Sequence, residues 1–501
     1  MRTQLPVVDT GLLALLRTDL IAARFTGAGV TEVLGPMASA AFAREHPLPA
    51  ERVTAASTDP CAALIRLFTL GAPVDLRDVQ AALPNVGIDG VLALGLVRRE
   101  GDGLVATCDL RPYAAAAQDW WVASDRAEFA TGEPLTPDHV LGIGGASATL
   151  AAWTPRRRLA RALDVGTGSG VQALHLSNDA DEVVVTDLSE RALAYASFNA
   201  ALNGVAWDVR QGSMLAPVEG ETFDLIVSNP PFVITPRDGS VPLFEYRDAG
   251  AAGDAVVADL VRGLASHLVP GGVAQLLGNW EIRRGTGWRE RVGAWVAESG
   301  LDAWIVQREV QDPAQYAETW ARDGGHHPGT AEFQTMYAAW LDDFASRDVE
   351  AVGFGVITLH RPAAERVPFV DLMEVRGPVG DAMGPTIAAG LAARELLASV
   401  DDEGLLDILW VAAEDVSIEQ HLRPGSSEPR AVTAVQGGGL RLRVSLDTYA
   451  AAYLGVADGS LTPRQALIAI ASLLDEDPMD VVAMVMPTLR HLIANGLLVR
   501  E

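Results

Sequence analysis

The middle of the chain alternates short β-branched runs with stretches of helical periodicity. Runs that have the composition of buried strands are ALDVG (162–166), EVVVTD (182–187), FDLIVSN (223–229), GVAQLLGNW (272–280), AWIVQRE (303–309) and FGVITLH (354–360). Such alternation is typical of βαβ units that build a parallel sheet. We therefore predict an α/β domain over residues 136–362, whose last βαβ and hairpin step is long enough for a seventh strand.

The residues before this domain have the pattern of short amphipathic helices followed by a hairpin. Helical spacing runs over Leu12–Arg24 and Pro60–Gly71, and a turn at Glu100–Gly103 separates two β-like runs. Helix, helix and hairpin predict a helical, winged-helix-like N-terminal domain over residues 1–135. Such a unit docks nucleic acid or serves as a packing and protein-contact module. The second role is favoured, because acids offset the arginines of the wing.

The residues after 362 are less regular in pattern. Thr462–Val499 has the spacing of a helix, a turn, a second helix and a final strand. We predict a smaller α+β C-terminal domain over residues 363–501 that includes a second winged-helix-like unit.

Composition narrows the class of protein. Hydrophobic residues make up 49% of the 501 positions, and 38 basic residues against 65 acidic ones give a net charge of -27. Because affinity for nucleic acid depends on phosphate neutralisation, this balance argues against tight non-specific binding to DNA or RNA. Two cysteines cannot form a disulfide framework, and no apolar run approaches the roughly 18 residues of a membrane span. We expect a soluble cytoplasmic protein with no membrane association.

A glycine loop follows the first predicted strand. Gly166, Gly168 and Gly170 allow the backbone to turn and to approach a ligand closely. Their spacing differs from the G-x-G-x-x-G of dinucleotide folds, and Asp164 would repel a pyrophosphate but suits a cationic ligand such as a sulfonium nucleoside. The next strand ends in Asp187, which could accept hydrogen bonds from both ribose hydroxyls or cap the following helix.

The sequence Asn229-Pro230-Pro231-Phe232 closes a later strand. A planar NH2 group is a poor nucleophile because its lone pair is delocalised. Hydrogen bonds from that group to the Asn229 side-chain oxygen and the Pro230 carbonyl would draw the nitrogen toward a pyramidal form, so orientation replaces a strong base. The prolines stiffen the loop, and Phe232 offers a flat surface for stacking. The alternative is a strand that ends in prolines and an aromatic plug.

Together these motifs resemble the class I S-adenosylmethionine-dependent methyltransferases of the small-domain group. That group includes release-factor glutamine methyltransferases and enzymes that methylate exocyclic amino groups of RNA and DNA bases. The resemblance implies a Rossmann-like seven-stranded sheet, S-adenosyl-L-methionine as cofactor and no metal. It implies these catalytic residues: Asn229, Pro230, Pro231 and Phe232. It implies these cofactor-binding residues: Asp164, Gly166, Thr167, Gly168, Gly170, Asp187, Leu188, Ser213, Met214 and Asn229. Ser213 stands where the family commonly has an acid that contacts the adenine amino group.

The activity that this resemblance implies is N-methylation of a planar amino nitrogen in a macromolecule. Phe232 and the winged-helix flanks slightly favour an adenine or guanine amino group in RNA or DNA. The negative charge favours a protein glutamine, as in a translation factor. A third hypothesis is a non-catalytic regulator that binds S-adenosylmethionine, although such a protein would not need the amino-orienting motif.

Four further segments carry narrower hypotheses. Arg247 and Asp248 either contact substrate or form a surface ion pair, and the arginines at 156–158 and 161 either meet phosphate or form a solvated face. Val140–Pro155 resembles the segment that covers the cofactor in related enzymes. His326 and His327 lack carboxylate partners at ligand spacing, so a metal site is not expected there.

Overall fold

The N-terminal region folds into short helices and small antiparallel sheets in a computed structural model that describes residues 4–115, 118–239, 241–248 and 250–500. Its helices are α1 (Thr10–Ala22), α2 (Gly27–Phe42), α3 (Leu48–Ala55), α4 (Pro60–Leu64), α5 (Leu76–Ala82) and α6 (Gly87–Ala93). Its strands are β1 (Val74–Asp75), β2 (Val97–Glu100), β3 (Gly103–Ala106), β4 (Asp109–Ala115) and β5 (Gln118–Ser124).

The sheet of β1, β3 and β2 with α5 and α6 has the connectivity of a winged helix. The β2–β3 hairpin turns at Gly101, whose φ of 56° suits glycine. In the wing, Arg98 forms an ion pair with Glu100, so the acids there do offset the arginines. A nucleic-acid or protein-contact role for this unit stays a prediction.

A long mixed sheet occupies the centre of the chain. Its helices are α7 (Glu128–Thr131), α8 (Gly145–Trp153), α9 (Val171–Leu176), α10 (Glu190–Asn203), α11 (Ala255–Gly263), α12 (Trp288–Ser299), α13 (Pro313–Asp323) and α14 (Ala331–Ser346). Its strands are β6 (Leu159–Val165), β7 (Ala180–Asp187), β8 (Asp208–Gln211), β9 (Phe223–Ser228), β10 (Leu268–Arg283), β11 (Asp302–Gln311), β12 (Val349–His360) and β13 (Val370–Glu374).

The strand order in this sheet is β13-β11-β12-β10-β9-β6-β7-β8, and only β12 runs antiparallel to its neighbours. The predicted Rossmann-like α/β fold is confirmed. All six predicted strands are present, but the seventh is β8, a short edge strand with the polar sequence DVRQ. An eighth strand, β13, pairs with β11 and lies beyond residue 362, so the boundary predicted there falls inside the sheet.

The C-terminal residues form a mixed unit of helices and small sheets. Its helices are α15 (Gly384–Ser399), α16 (Asp402–Leu406), α17 (Thr448–Leu454), α18 (Pro463–Leu474) and α19 (Pro478–Ala494). Its strands are β14 (Trp410–Ala412), β15 (Val416–Leu422), β16 (Pro429–Gln436), β17 (Arg443–Leu446) and β18 (Leu498–Arg500). The helix, turn, helix and strand predicted near the end correspond to α18, α19 and β18. Thr462 is the N-cap residue of α18 and forms a capping box with Gln465.

Helix α15 joins this unit to the central sheet. Ile387 and Leu391 pack in one buried cluster with Trp304 of β11. Gly390 allows this approach, because a Cβ there would lie 2.4 Å from the Trp304 ring. Residues beyond 362 therefore complete one face of the sheet. Within the described ranges, no helix is long and apolar enough to cross a membrane.

Candidate functional site

A cavity of about 550 Å³ lies at the carboxyl ends of β6, β7, β8 and β9. Ligands bind at this edge of open α/β sheets, and the volume is that of a small-molecule site. The predicted residues that line the cavity are Asp164, Gly166, Thr167, Gly168, Asp187, Leu188, Ser213, Met214, Asn229, Pro230, Pro231 and Phe232. The fold thus brings two separate sequence motifs to one pocket.

The glycine loop presents bare backbone to the cavity. Gly166 and Gly168 have φ values of 70° and 56°, in the left-handed region that favours glycine. A Cβ on either residue would meet no atom of the described structure within 4 Å. The backbone N–H groups of Gly166 and Thr167 both donate to the carbonyl of Thr186, which ties the loop to the end of β7.

Gly170 differs from the other two glycines. It does not line the cavity, and a Cβ there would lie 2.6 Å from the Trp207 ring. Its φ of 87° also favours glycine. The prediction that Gly170 contacts the cofactor is therefore not supported by its position, since its glycine is required for packing at the start of α9.

Asp164 is a buried carboxylate beneath the loop. Its Oδ2 accepts hydrogen bonds from Thr167 Oγ1 at 2.7 Å and from the Ala173 N–H at 3.2 Å. The pKa of Asp164 is raised to about 7, chiefly by burial and with a smaller contribution from nearby Asp187, against the lowering effect of these two hydrogen bonds. Because burial disfavours the ionised carboxylate, a cationic ligand beside it would stabilise the charged form.

Asp187 shapes the turn at the end of β7. Its two oxygens accept hydrogen bonds at 2.9 Å from the N–H groups of Gly168 and Ser189. Burial raises its pKa above the ordinary range, and these backbone hydrogen bonds act in the opposite direction. Ser189, not Asp187, occupies the N-cap position of α10, so the alternative reading of Asp187 as a helix cap is wrong.

The loop after β8 forms another wall of the cavity. Ser213 and Met214 line it, and Met214 has a positive φ of 49° although it is not glycine. The Thr186 hydroxyl donates to the Met214 carbonyl at 3.2 Å, which holds this turn beside β7. Leu188 also lines the cavity and is 68% exposed, so it offers an apolar surface there.

The Asn229–Phe232 segment lies at the end of β9 in a rigid setting. The Asn229 side-chain oxygen is buried and has no hydrogen-bond partner among the described residues. Just after the motif, the Ile234 N–H donates to Tyr316 Oη at 2.8 Å, and Trp340 Nε1 donates to the Ile234 carbonyl at 2.8 Å. A buried acceptor without a partner costs about 1–3 kcal/mol, and a ligand N–H would remove that cost.

Arg247 and Asp248 are buried, so the interpretation as a surface ion pair is wrong. The side chains are 2% and 0% exposed. The Arg247 carbonyl accepts a hydrogen bond from the Val233 N–H at 2.8 Å, and Asp248 pairs with Phe232 in a β-bridge. This segment therefore lies directly beside the Asn229–Phe232 motif.

Other predicted groups have structural partners. Trp280 of β10 is fully buried and stacks on Trp288. In the basic cluster, Arg156, Arg158 and Arg161 pair with Asp179, Asp181 and Glu182, respectively. These arginines are therefore already neutralised. No group of three or more His, Cys, Asp or Glu residues in the described parts of the chain could hold a metal ion.

Several lining residues carry no local signal in the sequence. Tyr246, Trp320 and Asp323 line the acceptor side of the cavity. Trp320 and Asp323 come from α13, almost a hundred residues after Asn229. The covering segment, Val140–Pro155, is predicted only from its resemblance to related enzymes, and residues 140–147 at its start line the cavity.

This arrangement fits a cationic nucleoside. Asp164 is buried and Asp187 is partly buried, and burial disfavours the ionised form of each, so a cationic ligand would stabilise their carboxylates. The bare glycine backbone leaves room for a ligand to lie against it. Asn229, at the end of the neighbouring strand β9, supplies an unsatisfied acceptor in the same cavity, where an amino group could donate to it.

Comparison with known proteins agrees with this geometry. Residues 142–284 match the methyltransferase small domain, and residues 22–107 match a domain of unknown function, DUF7059. The release factor glutamine methyltransferase of Deinococcus radiodurans is 43% identical over 124 residues, 23% of this chain and 44% of that protein. The ribosomal RNA small subunit methyltransferase C of Klebsiella pneumoniae is 33% identical over 137 residues, 27% of this chain and 35% of that protein.

Among solved structures, the 16S rRNA N2 G1207 methyltransferase of T. thermophilus, in complex with AdoMet and guanosine, covers 63% of this chain and 71% of its own, with 18% identity and a TM-score of 0.28. The chain spans less than half the length of the two curated relatives. The segment that matches the family, residues 142–284, contains both motifs of the cavity. Residues 142–284 of this chain form a methyltransferase small domain.

Proposed function

We propose that the protein is an S-adenosylmethionine-dependent N-methyltransferase that acts on a planar amino nitrogen of a macromolecule. The observation that carries this proposal is the buried, unpartnered Asn229 Oδ1 in the same cavity as the glycine loop. A protein that only binds the cofactor would gain nothing from an unsatisfied acceptor there, since leaving it unpaired costs stability.

The residues present fit S-adenosylmethionine. Asp187 would hold the ribose hydroxyls, Gly166 and Gly168 would lie against the ligand, and Asp164 would favour its positive charge. When bound, this cofactor supplies a methyl group attached to a cationic sulfur, and the neutral thioether that remains after transfer is a good leaving group.

The chain's own contribution is to orient the acceptor. Asn229 Oδ1 would accept a hydrogen bond from the amino group, an interaction that strengthens as the nitrogen becomes pyramidal. Phe232 would stack on the planar group, and its ring is fixed at 6.5 Å from that of Phe354. Because the amino group and the planar group that carries it are held in place before the reaction, less entropy is lost on reaching the transition state than in an unrestrained encounter.

A nucleic-acid base is the favoured substrate, because the acceptor side of the cavity has aromatic residues in Phe232, Tyr246 and Trp320. A protein glutamine is the second candidate. It is favoured by the net charge of -27 and by the ion pairs that neutralise three of the four arginines of the basic cluster.

The test is transfer of a radiolabelled methyl group from S-adenosylmethionine into separate RNA, DNA and protein fractions. Label in a nucleic-acid fraction supports the favoured substrate, and label in a glutamine of the protein fraction supports the second. If the protein binds the cofactor but no fraction is labelled, the proposal is contradicted and the hypothesis of a non-catalytic regulator is favoured.

A further inference from the structure

One buried cation on the acceptor side of the cavity has no part in the mechanism above. Arg247 is 3% exposed, and its Nη1 donates to the Trp320 carbonyl at 3.0 Å and to Asp323 Oδ2 at 2.7 Å. Its Nε and Nη2 are buried and make no hydrogen bond with any described residue; Nε lies 3.5 Å from Asp248 Oδ2 as an ion pair. Unsatisfied buried donors are costly, so their retention points to a ligand.

The position of Arg247 places it beside the transfer motif. Its carbonyl is bonded to the N–H of Val233, the residue that follows Phe232. Its guanidinium carbon lies 4.4 Å from the centre of the Phe244 ring and 5.9 Å from that of Trp320. The guanidinium is thus held among aromatic rings on an element that lines the cavity.

The neighbouring charges indicate what this group would bind. Asp248 and Asp323 both pair with Arg247, so its positive charge is already balanced. An anionic ligand such as phosphate would meet these two carboxylates. The free N–H groups therefore suit a neutral hydrogen-bond acceptor, such as a carbonyl oxygen.

We propose that Arg247 is a specificity-determining residue that binds the carbonyl edge of a guanine, whose amino group lies at Asn229. This inference rests on the proposed function. Guanine carries both an exocyclic amino group and a carbonyl, and the planar fork of arginine matches guanine O6 and N7. Adenine has no carbonyl, because its amino group occupies the position of O6.

The test compares methyl transfer to short RNAs that contain guanine, adenine, cytosine or 2-aminopurine as the single acceptor. 2-Aminopurine keeps the amino group of guanine and lacks O6. We expect kcat/KM for guanine to exceed that for 2-aminopurine by about 10- to 100-fold. We expect Arg247→Met to remove this preference, mainly through KM for the guanine substrate, with little further loss on 2-aminopurine.

Arg262→Met is the matched control, because Arg262 is a partly exposed arginine paired with Asp259 and Glu298 on the outer surface of α11. It should keep the preference of the wild type. Because Arg247→Met removes a buried ion pair and could destabilise the fold, thermal unfolding of each variant is measured. The preference of the wild type for guanine over 2-aminopurine tests the inference independently of any variant.

Equal transfer to guanine and 2-aminopurine by the wild type, or transfer to adenine, cytosine or a peptide glutamine instead, would overturn the guanine assignment and leave N-methylation intact. Calorimetry with guanosine and 2-aminopurine riboside in the presence of S-adenosylhomocysteine covers the remaining case. If no methyl transfer is detected but guanosine binds more tightly than 2-aminopurine riboside, and Arg247→Met abolishes that difference, the guanine subsite is supported while the proposed function fails. If no transfer is detected and the two nucleosides bind equally, both the subsite and the proposed function are overturned.

Discussion

The carboxylate of Asp125 holds the backbone of Val140 over the cavity. Its Oδ2 accepts a hydrogen bond from the Val140 N–H at 2.9 Å, and the Asp125 N–H donates to the Val140 carbonyl at 3.1 Å. Arg191 and Tyr195 of α10 bond the same carboxylate. Asp125 directly follows β5, so the N-terminal region fixes the covering segment from outside the matched family domain, which begins at residue 142.

We predict that Asp125→Ala weakens both folding and cofactor binding. Its loss leaves the half-buried Arg191 guanidinium without this carboxylate, which typically costs about 3–5 kcal/mol for a buried pair. The released covering segment should lower S-adenosylmethionine affinity by about 10-fold, the equivalent of 1.4 kcal/mol. Urea unfolding and calorimetry measure the two effects. The control is Asp119→Ala, at an exposed site on β5, which should change neither quantity. Unchanged cofactor affinity in Asp125→Ala would show that the hydrogen bonds between Asp125 and Val140 do not contribute to cofactor binding.

Asp187→Ala should weaken S-adenosylmethionine binding by about 1.5–3 kcal/mol, the value of a hydrogen bond to a charged group. The variant also loses the bonds from Gly168 and Ser189 that shape the loop. Asp181→Ala is the control, because Asp181 lies on the same strand at its exposed end. Calorimetry that finds equal affinity in both variants would show that Asp187 does not bind the ribose.

Asn229→Ala should lower the methyl-transfer rate by about 100- to 1,000-fold, by analogy with the deletion of one donor that stabilises a transition state. Cofactor affinity should remain nearly unchanged, since Asn229 acts chiefly on the acceptor nitrogen. Single-turnover kinetics with the identified substrate measure the rate. A near wild-type rate in this variant would mean that the motif is only a structural turn.

Asp164 should make folding stability depend on pH. Burial raises its pKa to about 7 in the folded protein, so the folded state keeps a proton that the unfolded state releases near pH 4. The free energy of unfolding contributed by this group should therefore fall as pH rises from about 4 to about 7 and then level off. Asp164→Asn should remove that slope. Urea unfolding of both proteins at several pH values provides the comparison, and parallel curves would refute the shift.

The place of the cavity in the fold could be predicted from short segments of sequence. The glycine loop and the Asn229–Phe232 motif each follow a β-branched strand, and parallel strands carry the residues that follow them to one edge of the sheet. The edge strand β8 was missed because DVRQ is polar and lacks strand periodicity. Strand β13 was not predicted because it is a strand only by pairing with β11, which lies far from it along the sequence.

By itself, the sequence determined the α/β class, the glycine loop and the Asn229–Phe232 motif, because each depends on residues adjacent along the chain. Tertiary structure decided three other matters. Gly170 packs against Trp207 and does not line the cavity, Asp248 is buried beside Phe232, and Asp125 bonds Val140. Each of these contacts joins residues at least fifteen positions apart, and only packing determines which distant side chains share a low-dielectric interior.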